Sequence, residues 1–239
     1  MTRRLDGIDL VIFDKDGTLI EFHAMWSGWA VALADDLERV TGRPIRAPLY
    51  AMLGYDAAAG RAIGGGRLAA TPMARIREAT EDVLLDAGVP ADAVEPALDA
   101  AWHAPDAVDL AQPVTDLGAL FTALRADGRR IAVATTDDRE PTQRTLTALG
   151  LDGSIDAVAC ADDGLAVKPA GDMVVHLCRL LGMQPDRSAV VGDSPADLAM
   201  GRAAGVGRCY GVLTGVGTRA ELAPLADEIL ESVADLLAD

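Results

Sequence analysis

Lysine is almost missing from this chain. Among 239 residues it occurs only as Lys15 and Lys168, while arginine supplies the other basic residues. A sequence that avoids lysine elsewhere marks these two positions for attention. Aromatic residues are also scarce, at 4 %, so any core must be built mainly from Ala, Leu and Val. Cysteine occurs three times, at Cys160, Cys178 and Cys209, an odd number without metal-ligand spacing. That excludes a disulfide framework and a cysteine zinc site, and reads as free thiols buried in a reducing compartment. No long apolar run is present. Arg3 and Arg4 are followed by Asp6 and Asp9 before any hydrophobic stretch develops, so neither a signal peptide nor a membrane span is expected, and a cytoplasmic location is. Positive charge is short overall. A formal net charge of −16 repels nucleic acid and anionic membranes alike, although a small anionic substrate remains compatible with a locally positive site.

Half of the residues are apolar, ample for a sizeable core, and the length suits one core domain carrying an insert. The most informative stretch is Leu10–Leu19. Leu10, Val11, Ile12 and Phe13 have the length and branching of a buried strand, which ends abruptly in Asp14, Lys15, Asp16, Gly17 and Thr18. Gly17 allows a sharp turn after the strand. Two carboxylates are thereby left side by side at the carboxyl end of a strand, where open parallel sheets bind ligands. Such a pair repels unless a cation or a proton lies between its members, so the stretch asks for a metal. The plainer alternative is a polar strand-to-turn junction.

Downstream, residues 20–40 carry apolar side chains at helical spacing, and a short helix is expected around 49–52. Gly60–Gly66, with Arg61 and Arg67 beside three consecutive glycines, reads either as an anion-binding loop or as a surface turn. Thr71-Pro72 reads as a cap residue followed by proline at the first helical position, opening a helix that stops at Gly88. Another helix is expected over about 91–102. Residues 22–108 thus read as almost wholly helical, with no convincing strand. Beyond Pro113 the pattern alternates: helix 117–126, strand 131–134, helix 141–149, strand 157–160, helix 172–181, strand 189–191, a helix opened by Ser194-Pro195-Ala196-Asp197, strand 209–212, and the capping box Thr218–Glu221. Strands alternating with helices imply right-handed crossovers and a parallel sheet covered on both faces.

Four features fall just beyond expected strands or at helix entrances: Asp14 with Asp16, Thr135, Lys168 before Pro169, and Gly192-Asp193 with Asp197. In order and kind they resemble the four motifs of the haloacid dehalogenase superfamily, most nearly its phosphoglycolate phosphatase branch, over almost the whole chain. The resemblance implies an α/β fold: a Rossmann-like parallel sheet core (residues 1–21 and 109–239) and an inserted helical cap (22–108). It implies a Mg²⁺-dependent phosphatase acting on a small phosphorylated metabolite, as a monomer or homodimer. In that pattern Asp14 attacks phosphorus, Asp16 acts as general acid and then base, Thr135 holds a phosphoryl oxygen, and Lys168 offsets negative charge. Mg²⁺ would take the Asp14 carboxylate, the Asp16 backbone carbonyl and Asp193, with Thr18, Gly192 and Asp197 in support. Cap residues are expected to close over the site and select the substrate. His23, Arg61, Arg67 and Thr136 are the candidate substrate contacts, and Trp26 and Trp29 are expected to pack the cap core.

The sequence departs from the family pattern at Thr136-Asp137, where an extra acid follows motif two. The cap has no lysine for Schiff-base phosphonatase chemistry, and the presence of Asp16 disfavours dehalogenation. A sugar-phosphate mutase that shares Asp14 and Asp16, and a regulatory binding module without turnover, remain as alternatives.

Overall fold

The computed structural model describes residues 3–103 and 110–238. The expected cap boundary at 108–109 therefore lies outside the described residues. In chain order the elements are β1 (Leu10–Phe13), α1 (Phe22–Thr41), α2 (Arg46–Leu53), β2 (Tyr55–Asp56), β3 (Arg61–Ala62), α3 (Arg67–Ala70), α4 (Met73–Asp86) and α5 (Ala91–Ala101). They continue with α6 (Leu117–Ala126), β4 (Arg130–Ala134), α7 (Arg139–Ala148), β5 (Ala157–Ala159), α8 (Asp172–Leu181), β6 (Ser188–Gly192), α9 (Pro195–Ala204), β7 (Arg208–Val212), α10 (Arg219–Leu222) and β8 (Glu228–Leu230).

Six strands pair in parallel in the order β5-β4-β1-β6-β7-β8. The chain winds outward from β1 to one side and then, from β6, to the other, so the order reverses beside β1. A crevice forms at such a reversal, outside the carboxyl ends of the strands. Successive side chains of a strand point to opposite faces, and β1 divides accordingly. Val11 and Phe13 pack with Leu120, Phe121 and Leu124 of α6 on one face. Leu10 and Ile12 pack with Val174 and Leu177 of α8 and Leu198 of α9 on the other. β1 is buried on both sides, which is why it reads as a continuous apolar run rather than an alternating one.

Elements α1 to α5 form a helical insertion with its own apolar cluster, centred on Trp26, Trp29, Leu33 and Leu37 of α1, Leu49 and Leu53 of α2, Leu84 of α4 and Leu98 of α5. Trp29 packs edge-on against Trp26 and Trp102, with ring centroids 5.9 and 5.3 Å apart. The insertion meets the core through Ile20 and Val216. The segments leading into and out of it are tied together: Glu21 N–H donates to the Gln112 carbonyl at 2.8 Å and Val114 N–H to the Leu19 carbonyl at 3.0 Å.

Several expected boundaries shift. Within the insertion, β2 and β3 form a small antiparallel pair where no strand was expected; two-residue strands are too short to show alternation. The helix expected at 49–52 begins at Arg46. At Thr71-Pro72 the backbone of Pro72 is extended and Pro72 itself precedes the first helical residue, Met73. Thr71 therefore does not cap the helix. β8 was also not anticipated, because it is a three-residue edge strand with only Leu230 fully buried.

Candidate active site

The site begins where β1 runs out. After Phe13 the chain turns at Gly17, which has φ +90°. A Cβ there would lie 2.6 Å from an Asp193 carboxylate oxygen, so glycine is required both for the turn and for the close approach of β6. At the end of β6 close approach alone requires glycine: a Cβ on Gly192 would lie 2.2 Å from the Asp197 Cβ. These two glycines let the carboxylates of Asp14, Asp193 and Asp197 converge, with one oxygen from each within 4.8 Å of the others and all three side chains buried.

Lys168, between β5 and α8, is buried beneath this group. Its ammonium pairs with Asp14 and lies 2.6 Å from Asp197. Both Asp197 oxygens are committed, one to Lys168 and the other to the Ser194 N–H (3.0 Å) and hydroxyl (2.6 Å) in a capping box that opens α9. Asp193 accepts the Val216 N–H at 2.7 Å and faces the Thr18 hydroxyl at 3.4 Å. Burial raises the pKa of Asp14 despite the opposing charge of Lys168. It raises Asp193 well above the ordinary carboxylate range, reinforced by Asp197 and Asp14. Burial disfavours the Lys168 ammonium, but Asp14 and Asp197 outweigh it and its pKa rises. Asp14 and Asp193 thus form a dry, under-compensated pair of hard oxygen donors. That donor set fits a divalent cation such as Mg²⁺, and Asp197, whose oxygens already accept from Lys168 and Ser194, supports it.

Asp16 lies apart from this cluster. Its carboxylate is held by Lys15 at 2.8 and 2.9 Å, and the same ammonium reaches Asp137 at 2.9 Å. Lys15 is buried, with 1 % of its surface exposed. Burial opposes its charge, but Asp137 and Asp16 together raise its pKa. Asp16 is pushed up to about 6, by burial first, with Lys15 opposing and Asp137 adding to the rise; the Trp26 indole faces it and favours the charged form. The extra acid noted after motif two is therefore the partner of the unusual lysine inside motif one.

Thr135 sits at the end of β4, buried, with its hydroxyl accepting the Asp137 N–H at 3.1 Å. Thr136 and Asp137, rather than Thr135, line the cavity over the cluster, together with Phe22, Trp26, Leu68–Thr71 and Met73 of the insertion. This cavity is small, about 20 Å³, room for roughly one water. His23 and Arg61 do not line it. They lie in a separate cleft with Gly64, Val216 and Glu221. The Arg67 side chain is exposed, and its neighbours Leu68 and Ala69 face the cavity instead. Within the glycine-rich loop the space around Gly64 holds the Glu221 carboxylate and the Val216 carbonyl, surroundings unsuited to an anion. Trp26 and Trp29 pack the insertion core as expected, but Trp26 also walls the cavity. Sequence reasoning did not find that second role, since a tryptophan at helical spacing carries no sign of which neighbour it meets.

The chain is similar to known proteins. The chain is 34 % identical over 198 residues to a phosphoglycolate phosphatase of Rhodospirillum rubrum, covering 82 % of this chain and 76 % of that one. Among solved structures, a predicted phosphoglycolate phosphatase from Haemophilus somnus superposes with a TM-score of 0.71 at 20 % identity, covering 97 % of each chain. A candidate beta-phosphoglucomutase from Thermotoga maritima superposes at 0.62 and 20 % identity, covering 96 % of this chain and 97 % of that one. Both structures share the fold. The family model of haloacid dehalogenase-like hydrolases matches residues 8–205, and with the motif residues gathered at one end of the sheet, the chain belongs to that family of hydrolases, in its phosphoglycolate phosphatase-like branch.

Proposed function

We propose that this hydrolase is a Mg²⁺-dependent phosphatase of a small phosphorylated metabolite, working in the cytoplasm through a phospho-aspartate. The observation that carries the reading is the division of labour between two buried carboxylates. Asp14 faces the candidate metal ligands and Lys168, whereas Asp16 faces Lys15, Asp137 and the insertion.

In the first half-reaction an Asp14 oxygen attacks phosphorus, the bond from phosphorus to the ester oxygen breaks, and the departing oxygen takes a proton from Asp16. In the second half, water gives a proton to Asp16 and attacks phosphorus, releasing phosphate and the free Asp14 carboxylate. Asp16 therefore has to hold a proton and then lose it near neutral pH, which an acid pushed up to about 6 can do. Lys168 stays charged and offsets the negative charge that builds beside Asp14. Asp14, Asp193 and the Asp16 backbone carbonyl would hold Mg²⁺, which when bound lets an anionic nucleophile approach an anionic phosphate.

A hydrolysis screen over phosphorylated metabolites, with and without Mg²⁺, tests the reading, with Asp14→Asn as control. The expected outcome is phosphate release that requires the metal and falls by about 10⁴-fold or more in Asp14→Asn, the scale for removing a nucleophile. Release near the wild-type rate from that variant would end the covalent mechanism. A sugar-phosphate mutase is the other catalytic reading, favoured by the likeness to the phosphoglucomutase structure in fold alone. It would yield both regioisomers of a sugar monophosphate.

A further inference from the structure

Beside the catalytic cavity lies a second one of about 300 Å³, lined by Met25, Trp26, Met73, Ala74, Arg77 and Trp102 from the insertion and by Asp137, Asp138, Pro141 and Thr145 from the core. Its volume is at the lower end of small-molecule pockets. The two cavities share Trp26, Met73 and Asp137. None of Asp14, Asp16, Lys168, Asp193 and Asp197 lines the second cavity; it adjoins the site through Trp26, which faces Asp16, and Asp137, which shares Lys15 with Asp16, and so lies on the Asp16 side. That is the side on which a general acid meets the departing oxygen, and hence the side on which the organic part of the ester must lie.

The chemistry of this wall is specific. Two indoles and two thioethers supply apolar, polarisable surface. The charges offered there are the carboxylates of Asp137 and Asp138 and one guanidinium. That guanidinium, Arg77, is already occupied: it donates to Glu95 at 2.9 and 3.2 Å, to Asp99 at 3.1 Å and to Glu81 at 3.4 Å. Lys15, the nearest buried cation, is spent on Asp16 and Asp137. A carboxylate on the leaving group would thus enter a half-buried space beside acids and find no uncommitted cation among the residues that line it, an arrangement that electrostatics penalises.

We infer that the substrate is a phosphomonoester whose alcohol part is apolar and carries no negative charge, seated between Trp26, Trp102, Met25 and Met73. This rests on the phosphatase reading above and separates the chain's substrate from a carboxylated ester such as phosphoglycolate, the compound named for its relative in R. rubrum.

The test compares kcat/KM of the Mg²⁺-supplemented full chain on 2-phenylethyl phosphate, phosphoglycolate and p-nitrophenyl phosphate. We expect 2-phenylethyl phosphate to exceed phosphoglycolate by at least tenfold. Ala74→Arg places a cation at the exposed rim of the second cavity, on a helical position that tolerates it, and is expected to narrow that ratio. Trp26 and Trp102 are two of only three tryptophans, so intrinsic fluorescence reports occupancy without turnover: 2-phenylethanol is expected to perturb it and glycolate at equal concentration is not. Hydrolysis of p-nitrophenyl phosphate together with a preference for phosphoglycolate overturns this inference and leaves the phosphatase standing. Failure to hydrolyse any of the three esters overturns the phosphatase, and this inference with it.

Discussion

Each of the two candidate catalytic carboxylates has its own buried lysine and a second acid on the far side of that lysine. Asp14 shares Lys168 with Asp197, and Asp16 shares Lys15 with Asp137. The charge arithmetic is the same, two carboxylates to one ammonium, yet the settings differ. The Asp14 group is assembled from segments distant in the chain and adjoins Asp193, so three carboxylates face one ammonium, an excess that a divalent cation would balance. The Asp16 group is made by chain neighbours and the loop after β4, and faces Trp26 of the insertion. In the proposed mechanism one group binds a cation and attacks phosphorus, while the other holds a single carboxyl in place as its proton comes and goes. Lysine is avoided elsewhere in the chain and kept at these two points, where a compact ammonium on a long stem reaches two carboxylates at once.

Breaking the Asp14 group is expected to cost more. Lys168→Ala removes an electrostatic stabiliser of the transition state and is expected to lower kcat by about 10²–10³-fold, with steady-state kinetics on any accepted ester as the measure. Unchanged kinetics would show the lysine to be structural. Breaking the Asp16 group at its outer member is milder. Asp137→Asn leaves Lys15 paired with Asp16 but frees one side of the clasp, and a loss of about tenfold in kcat is expected from the looser acid. The loss should be larger on an alkyl phosphate, whose leaving oxygen needs a proton, than on p-nitrophenyl phosphate, whose leaving oxygen does not. An equal loss on both esters would mean that Asp137 does not serve Asp16.

The two groups also differ in how far they could be read from the chain. Asp14, Lys168, Asp193 and Asp197 sit at strand ends and helix entrances that hydrophobic patterning locates, so their convergence follows from parallel topology. The strand order itself is not in the pattern, but β1, β4 and β6 all end at the same edge whatever the order. The Lys15–Asp137 contact was not legible, because a lysine between two aspartates shows no direction and its partner lies 122 positions away. His23 and Arg61 were misplaced relative to the cavity for a related reason: the pattern gives a helix and a loop, but not which face of the insertion meets the core. β2, β3 and β8 escaped because strands of two or three residues are held by tertiary hydrogen bonds rather than by their own periodicity.

The smallest expected effect is on stability, and it turns on the balance of charge in the Asp14 group. Burial raises the carboxyls of Asp14 and Asp193, and it also raises that of Asp16, in the other group, to about 6. The folded chain therefore binds more protons than the unfolded one above the ordinary carboxylate range. Stability from these groups is complete below the unfolded pKa of about 4 and is lost as pH rises through the raised folded values. A divalent cation competes with those protons for the same oxygens. Mg²⁺ is thus expected to stabilise little at pH 5 and more at pH 8. At tenfold excess over its dissociation constant the gain is about 1.4 kcal/mol, or roughly 3–6 °C for a chain of this size. Thermal melts at matched ionic strength, with Na⁺ replacing Mg²⁺ in the control, measure it. Asp193→Asn separates a bound ion from a general salt effect: with one repelling carboxylate gone, the metal-free protein should melt no lower at pH 8, while the Mg²⁺ increment shrinks. Asp137→Asn, outside the Asp14 group, should keep the full increment. A shift equally large in Asp193→Asn, or one that does not grow with pH, would put the cation somewhere other than between Asp14 and Asp193.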